Sequence, residues 1–383
     1  HFYTCYQPLE ADGELGSNIV AYCADAQTGD VLWQRKIRGQ YPLRLSGCFS
    51  DSTSPPAVTD GERVCFFNAS GTLTCFDMQG DQLWSREAMA VGRSQPFLVH
   101  GNVVFTKQTI MPKDGKFGHE HKDASQELWT QLEALELASG EHVWTSTCGV
   151  NMGAVPMVNR WSDGREVIVV GRGGGHSPPE RPLGVSAIDG KSGKTLWTLP
   201  LERYMSTQTF AMINDRALIF HGPEHLWVDP SGKVERRVNL CTDVKVRRWE
   251  GSSYVSQIET LNYKPGKGRA ITQQSNLLVG DYHYFRAYTE TYLGRVHVRT
   301  GKVEYLQLPV QLIRRAEQED RRIWSLKDPA FIPSEMRNHG GFLVMGDKRS
   351  RTNTWGHHAS PIMTVVGKHL YLPTLVGLSL IHI

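Results

Sequence analysis

The 383-residue sequence has no apolar run near the roughly 18 residues that a membrane-crossing helix needs. It has little excess charge: 42 Lys and Arg against 39 Asp and Glu leave +3, and the basic residues are scattered, so no nucleic-acid surface is expected. Its seven cysteines (Cys5, Cys23, Cys48, Cys65, Cys75, Cys148 and Cys241) form no CxxC or CxxCH, which disfavours zinc ribbons and c-type haem attachment. The chain starts at His1 and shows no signal peptide, so a targeting segment is expected to be missing from it. What the sequence does have is glycine, 37 residues, and tryptophan, 10, a pairing that belongs with turn-rich β proteins rather than helix bundles. With 40% hydrophobic and 21% charged residues, a globular chain with a real core is expected.

One phrase recurs. "CADAQTGDVLW" (23–33), "ALELASGEHVW" (134–144) and "AIDGKSGKTLW" (187–197) are near copies, and "CFDMQGDQLW" (75–84) is one residue shorter. Gly29–Trp33, Gly80–Trp84, Gly140–Trp144 and Gly193–Trp197 share one spacing. Two weaker copies follow: "WVDPSGKVER" (227–236), which ends in Arg236, and "VHVRTGKVEY" (296–305), which puts Tyr305 in the Trp position. Each copy makes sense as a hairpin, because Asp bonds forward to turn amides and Gly supplies the positive φ of a bulged turn. The aromatic residue then sits on the outgoing strand, where a flat ring can cover a neighbouring unit. Trp33, Trp84, Trp144, Trp197 and Tyr305 are therefore expected to dock one unit on the next.

A second pair of strand signals precedes each hairpin, as in "SPPAVTDGERVCFFNASGTLTCFD" (54–77) and "PFLVHGNVVFTK" (96–107). Each unit thus has four antiparallel strands, and such units repeating along a chain mark a β-propeller. The expected units are 18–38 (with Phe2–Tyr6 as a further strand), 54–88, 94–146, 153–199, 208–238 and 274–308, and 359–376 begins another. The whole of 1–383 is read as one propeller domain in an incomplete ring, a fragment with long loop insertions at 107–129, 240–273 and 309–358. The closing "LSLIHI" looks foreign to the repeat, as read-through from a sequencing adapter would. Cys65 and Cys75 bracket "CFFNASGTLTC" and are expected to be close neighbours, as free thiols packed like small hydrophobes.

The A-x-D-x-x-T-G-x-x-x-W phrase resembles the tryptophan-docking repeat of the pyrroloquinoline-quinone-type (PQQ-like) propellers, the quinoprotein alcohol dehydrogenase-like superfamily. WD-repeat propellers are the nearest rival, but no Trp-Asp dipeptide or Gly-His start stands in the right places. The resemblance implies an all-β fold of four-stranded antiparallel blades, about six to seven of a usual eight, and a periplasmic or secreted location. It does not imply catalysis, since members with and without cofactor share the repeat.

Function is expected where the loops are long. In a propeller, the loops after the second and fourth strands leave on one face, and here those loops carry the insertions. "GRGGGHSPPERP" (171–182) is the densest candidate, with Arg172, His176, Glu180 and Arg181 around glycines that let a ligand approach the backbone; a turn-rich structural loop explains it as well. His119 and His121 in "GHEH", with Asp123, have metal-like residue types, although solvated histidines in a lysine-rich loop account for them better. Asp51, Ser52, His357 and His358 hold equivalent places near the expected channel mouth, with Asn151 and Thr207 comparable; polar caps on strand starts explain them equally.

An enzyme of the resembled type needs an adjacent-cysteine disulfide, a calcium held by carboxylate and amide, and a Trp floor. No two cysteines here are adjacent, and only Asp51 and Glu290 are carboxylates near the inferred rim. The reading is therefore a non-catalytic binding or scaffolding module, without cofactor, that presents its loop-rich face to a protein, glycan or small ligand. The alternative is a periplasmic quinone-dependent oxidoreductase holding the quinone with calcium.

Overall fold

A computed structural model describes residues 1–11, 16–40, 53, 55–88, 94–107, 130–151, 153–173, 183–202, 211–262, 271–272, 276–287, 292–308, 312–313, 342–343, 363–374 and 377–382. Strands make up its regular structure, and the described residues contain no helix. The chain groups into two compact units, His1–Glu202 with Pro230–Lys233, and Arg203–Asp229 with Val234–Ile383.

Unit 1 is a succession of antiparallel sheets in chain order. A three-stranded sheet holds β1 (Phe2–Tyr6), β2 (Ile19–Ala24) and β3 (Val31–Ile37). Three four-stranded sheets follow. The first has β4 (Val58–Thr59), β5 (Arg63–Asn68), β6 (Thr72–Asp77) and β7 (Gln82–Glu87). The second has β8 (Phe97–Val99), β9 (Asn102–Lys107), β10 (Gln131–Glu136) and β11 (His142–Thr145). The third has β12 (Met157–Arg160), β13 (Glu166–Arg172), β14 (Gly184–Asp189) and β15 (Thr195–Pro200). These are propeller blades. Their middle strands are buried almost throughout while the outermost strand of each buries only its tryptophan, so the core lies between successive sheets rather than within one. Cys65, Phe67, Leu73 and Trp84 of one blade pack with Val103, Phe105 and Leu135 of the next.

Unit 2 continues with β16 (Ala211–Ile213), β17 (Arg216–His221), β18 (Glu224–Val228) and β19 (Val234–Asn239) as a four-stranded sheet. The next blade holds β22 (Leu277–Val279), β23 (Tyr282–Arg286), β24 (Tyr292–His297) and β25 (Val303–Gln307), enlarged to six strands by β20 (Val244–Trp249) and β21 (Tyr254–Glu259). The stretch 240–273, expected as a loop insertion, is therefore in part a hairpin. Its β20 runs parallel to β25, pairing Val246 with Tyr305. The alternation in "VKVRRW" drives this: Val244 and Val246 point into the core, while Arg247 and Trp249 are exposed. A short parallel pair, β26 (Leu312–Ile313) with β27 (Phe342–Leu343), interrupts the other long insertion. The last sheet holds β28 (Thr364–Val366), β29 (His369–Thr374) and β30 (Gly377–His382), so residues 378–382 of "LSLIHI", which looked foreign to the repeat, lie in a strand paired with β29.

Turn chemistry explains the repeated hairpins. Asp25 accepts the amides of Gln27 (2.8 Å) and Thr28 (2.9 Å) on one carboxylate oxygen, and Gly29 N–H closes back on the Asp25 carbonyl. The Thr28 amide first, then that of Gln27, holds the Asp25 carboxyl below its ordinary range. A register shift follows each such turn in β2–β3, β6–β7, β10–β11, β14–β15 and β18–β19, the bulge that sets the twist of the outgoing strand. Cys65 and Cys75 face each other directly across β5–β6 as free thiols, and burial pushes the Cys65 thiol up.

Candidate functional site

The bulged turns place each outer-strand tryptophan over the next hairpin. Indole N–H groups donate to turn carbonyls: Trp33 to Met78 (3.1 Å), Trp84 to Leu137 (2.9 Å) and Trp144 to Gly190 (3.2 Å). The rings lie so close that a Cβ at Gly80 would sit 2.7 Å from Trp33, and one at Gly140 2.6 Å from Trp84. Positive φ (83° and 72°) excludes larger residues there a second time. Trp197 covers Gly232 in the same way, but its buried indole N–H has no acceptor among the described residues.

The next junction is built differently. Arg236 stands over Gly301, donating to the carbonyls of Arg299 (2.8 Å) and Thr300, with its guanidinium 5.0 Å from the Trp227 ring centre. Register explains the exchange. The residue opposite the docking position is small in unit 1 (Cys23, Cys75, Ala134, Ala187), whereas Trp227 stands opposite Arg236. Volume has moved from the outer strand to its neighbour. Beside Arg236 lies a cleft of about 620 Å³, whose charged walls are paired, Arg216 with Glu235 (2.5 Å) and Arg299 with Asp281 (2.8 Å). Tyr305 departs from the docking series: its hydroxyl donates to the Leu240 carbonyl (2.7 Å) at the root of β20.

At the opposite strand ends, unit 1 carries a buried polar band. The second strands of its blades end in Asn68, Lys107 and Arg172. Asn68 donates to the carbonyls of Ser17 (2.9 Å) and Ile37 (3.2 Å), tying its blade to the preceding sheet. Lys107 pairs with Glu133, which is 7% exposed. Gln131 donates to Ser146 O (2.6 Å), and the Ser146 hydroxyl to Cys148 O (2.7 Å). Arg172 is buried, with its guanidinium directed at the hydroxyls of Ser186 (2.8 Å) and Thr198 (3.2 Å). Asn151 caps its own turn, accepting from Gly153 N–H at 2.9 Å. This band stands at the roots of the insertions: Lys107 and Thr130 flank 108–129, and Gly173 and Leu183 flank 174–182. Asp51, His176, Glu180, Arg181, His357, His358, His119 and His121 lie outside the described residues, so Arg172 alone of the proposed ligand-face set is placed.

Unit 2 holds a polar chain that sequence reasoning missed. Trp227 Nε1–H donates to His225 Nδ1 (3.0 Å), His225 Nε2 meets His283 Nδ1 (2.9 Å), and His283 Nε2 meets Asn276 Oδ1 (2.8 Å). An indole only donates, so His225 carries its proton on Nε2 and passes the direction on to His283. Both rings are fully buried and packed on Phe220, with centroids 4.9 Å away. Burial first, then the neighbouring His283 and Arg236, pushes His225 well below the usual imidazole range, and burial brings His283 down to about 3. Both are neutral at any physiological pH. The available signal was position, since His225 in "EHLWV" and His283 in "YHYFR" lie on middle strands of their blades, each buried with the residue after it.

Residues 11–146 match the family model described as "Outer membrane protein assembly factor BamB", a PQQ-like model. Within 11–146 the repeats are thus similar to those of PQQ-like propellers. Among solved structures, BamB from Moraxella catarrhalis is 13% identical over 97% of this chain and 80% of its own, with a TM-score of 0.45. A europium-containing methanol dehydrogenase is 9% identical over 75% and 74%, with a TM-score of 0.41. Saccharomyces cerevisiae Sqt1 is 9% identical over 77% and 71%, at 0.40. No curated protein matches.

Similarity to a PQQ-like model raises the question of a quinone held with a hard cation. Such a cation asks for several convergent oxygen donors. Among the described residues no three His, Cys, Asp or Glu side chains converge, and the one carboxylate of the polar band, Glu133, is engaged by Lys107. The described residues therefore do not fit that group.

Proposed function

We propose that this PQQ-like propeller is a non-catalytic scaffold that binds a protein partner through the loop-bearing ends of its blades, in the periplasm. One observation carries the reading: in unit 1 polar side chains at the loop-bearing strand ends tie strands to one another. Asn68, Gln131, Ser146 and Arg172 bond to carbonyls and hydroxyls of their own or the adjoining sheet. Such a band makes rigid roots for loops, and rigid roots suit recognition by the loops themselves. The match of 11–146 to an outer membrane assembly factor model supports a protein partner and that compartment.

The test is site-specific photo-crosslinking from Lys107, which borders 108–129, in cells that make the protein. The expected result is a discrete protein adduct that disappears when 108–129 is replaced by a short Gly-Ser linker while the melting temperature holds. Tight one-to-one quinone binding with calcium, accompanied by dye-linked alcohol oxidation, would overturn the scaffold in favour of the dehydrogenase.

A further inference from the structure

The hairpin β20–β21 ends the six-stranded sheet of unit 2, and β21 is its outermost strand, paired on one side only among the described residues. Tyr254 through Ile258 are exposed on both faces of the strand, and Ile258 is 66% exposed. Natural edge strands are blunted by lysine, proline or a bulge. The β21 sequence "YVSQIE" contains no lysine or proline, and its pairing with β20 is continuous. Among the described residues nothing covers it, and it offers a template for strand addition.

We infer that the occupant of this edge is β21 of a second copy of the chain, added antiparallel about a twofold axis at Ser256. The hydrogen-bond phase comes first. Glu250 N–H donates to Ser253 O at 2.9 Å, and bonded pairs alternate along an antiparallel ladder. Val255, Gln257 and Glu259 therefore bond toward β20, and the N–H and C=O groups of Tyr254, Ser256 and Ile258 point to the open edge. A twofold at Ser256 sets those same outward residues opposite one another.

Side-chain pairing selects that register. Tyr254 of each copy falls opposite Ile258 of the other, an aromatic–aliphatic pair made twice. Trp249 already packs on Tyr254, with ring centroids 5.0 Å apart, so the apolar strip runs through Trp249, Tyr254 and Ile258 of both copies. On the other face Val255 meets Gln257, and no like charges oppose each other. A twofold at Gln257 would instead set Ile258 against Ser256 and Val255 against Glu259. Isologous pairing of this kind closes on itself and leaves no edge to propagate.

Sedimentation of the whole chain over a range of concentrations tests this. The expected result is an apparent mass that doubles as concentration rises. Ser256→Pro removes an outward N–H without touching a β20 bond, and it should leave the chain monomeric throughout. Ser256→Cys should give a covalent dimer with a short bifunctional maleimide. Ser252→Cys, also exposed in the hairpin turn, should not, because the twofold separates its two copies by about 27 Å at about 3.4 Å per residue. A chain that stays monomeric overturns the inference and leaves the edge to an extended segment of another protein. A dimer that survives Ser256→Pro, or cross-links as well through position 252, overturns it too.

Discussion

Unit 1 and unit 2 solve the same packing problem in two ways. In unit 1 a wide indole on the outer strand covers the next glycine turn, and the residue beside it is cysteine or alanine. In unit 2 the indole has moved one strand inward as Trp227, and the thinner Arg236 reaches the glycine. Both devices present a flat group with N–H donors to the turn carbonyls. What the repeat conserves is therefore a planar donor over a glycine plus a fixed total volume, not tryptophan as such. The exchange has a local price: Trp227 Nε1–H no longer faces a turn carbonyl, and a buried histidine takes it instead.

The sharpest way to break the comparison is in unit 1. Trp144→Ala should cost about 3–5 kcal/mol, as for other large core aromatics, because the ring is 5% exposed and fills the space over Gly193. An unchanged melting temperature would remove docking as the source of inter-blade stability.

A double-mutant cycle in unit 2 tests the volume exchange. Arg236→Trp alone should destabilise by about 1–3 kcal/mol through overpacking against Trp227. Combined with Trp227→Ala it recreates the unit 1 arrangement, and the double variant should be more stable than the two single losses predict when summed. Strict additivity in urea midpoints would show that the two positions do not share one space.

The smallest expected effect concerns pH and belongs to unit 2. His283 is held at about 3 in the fold, against an ordinary value of 6.5. Below pH 6.5 the unfolded chain takes up a proton that the folded chain refuses. Its contribution is thus fully present above that pH and is lost as pH falls toward 3. At pH 5.5 the loss amounts to about 1.4 kcal/mol for this one group. His283→Gln should flatten the dependence of the denaturation midpoint on pH between 7 and 5.5, and an unaltered slope would place the acid sensitivity elsewhere.

Much of this architecture was legible in the sequence. The hairpins announce themselves because Asp25 or Asp77 bonds to amides only a few residues on. Even the exchange in unit 2 was spelled out, since "WVDPSGKVER" opens with Trp227 and closes with Arg236 where the four copies before it open small and close with Trp. The hairpin of 240–273 was passed over because "VKVRRW" and "YVSQIE" belong to no repeat, and "VKVRRW" finds its partner in β25, the last strand of the following blade. Arg172 was singled out for its charge beside glycines, yet its neighbours Ser186 and Thr198 come from two later strands.

By itself, then, the sequence determined the unit: a bulged Asp–Gly hairpin with a docking group after it, stacked from two-residue alternation. Turn bonds and strand periodicity act over a handful of residues, so they are written locally. The tertiary structure alone decided which side chain fills each junction, which histidines are sealed from water, and which strand is left with an open edge. Those outcomes depend on cross-strand register and on neighbours that only the folded chain brings within van der Waals distance.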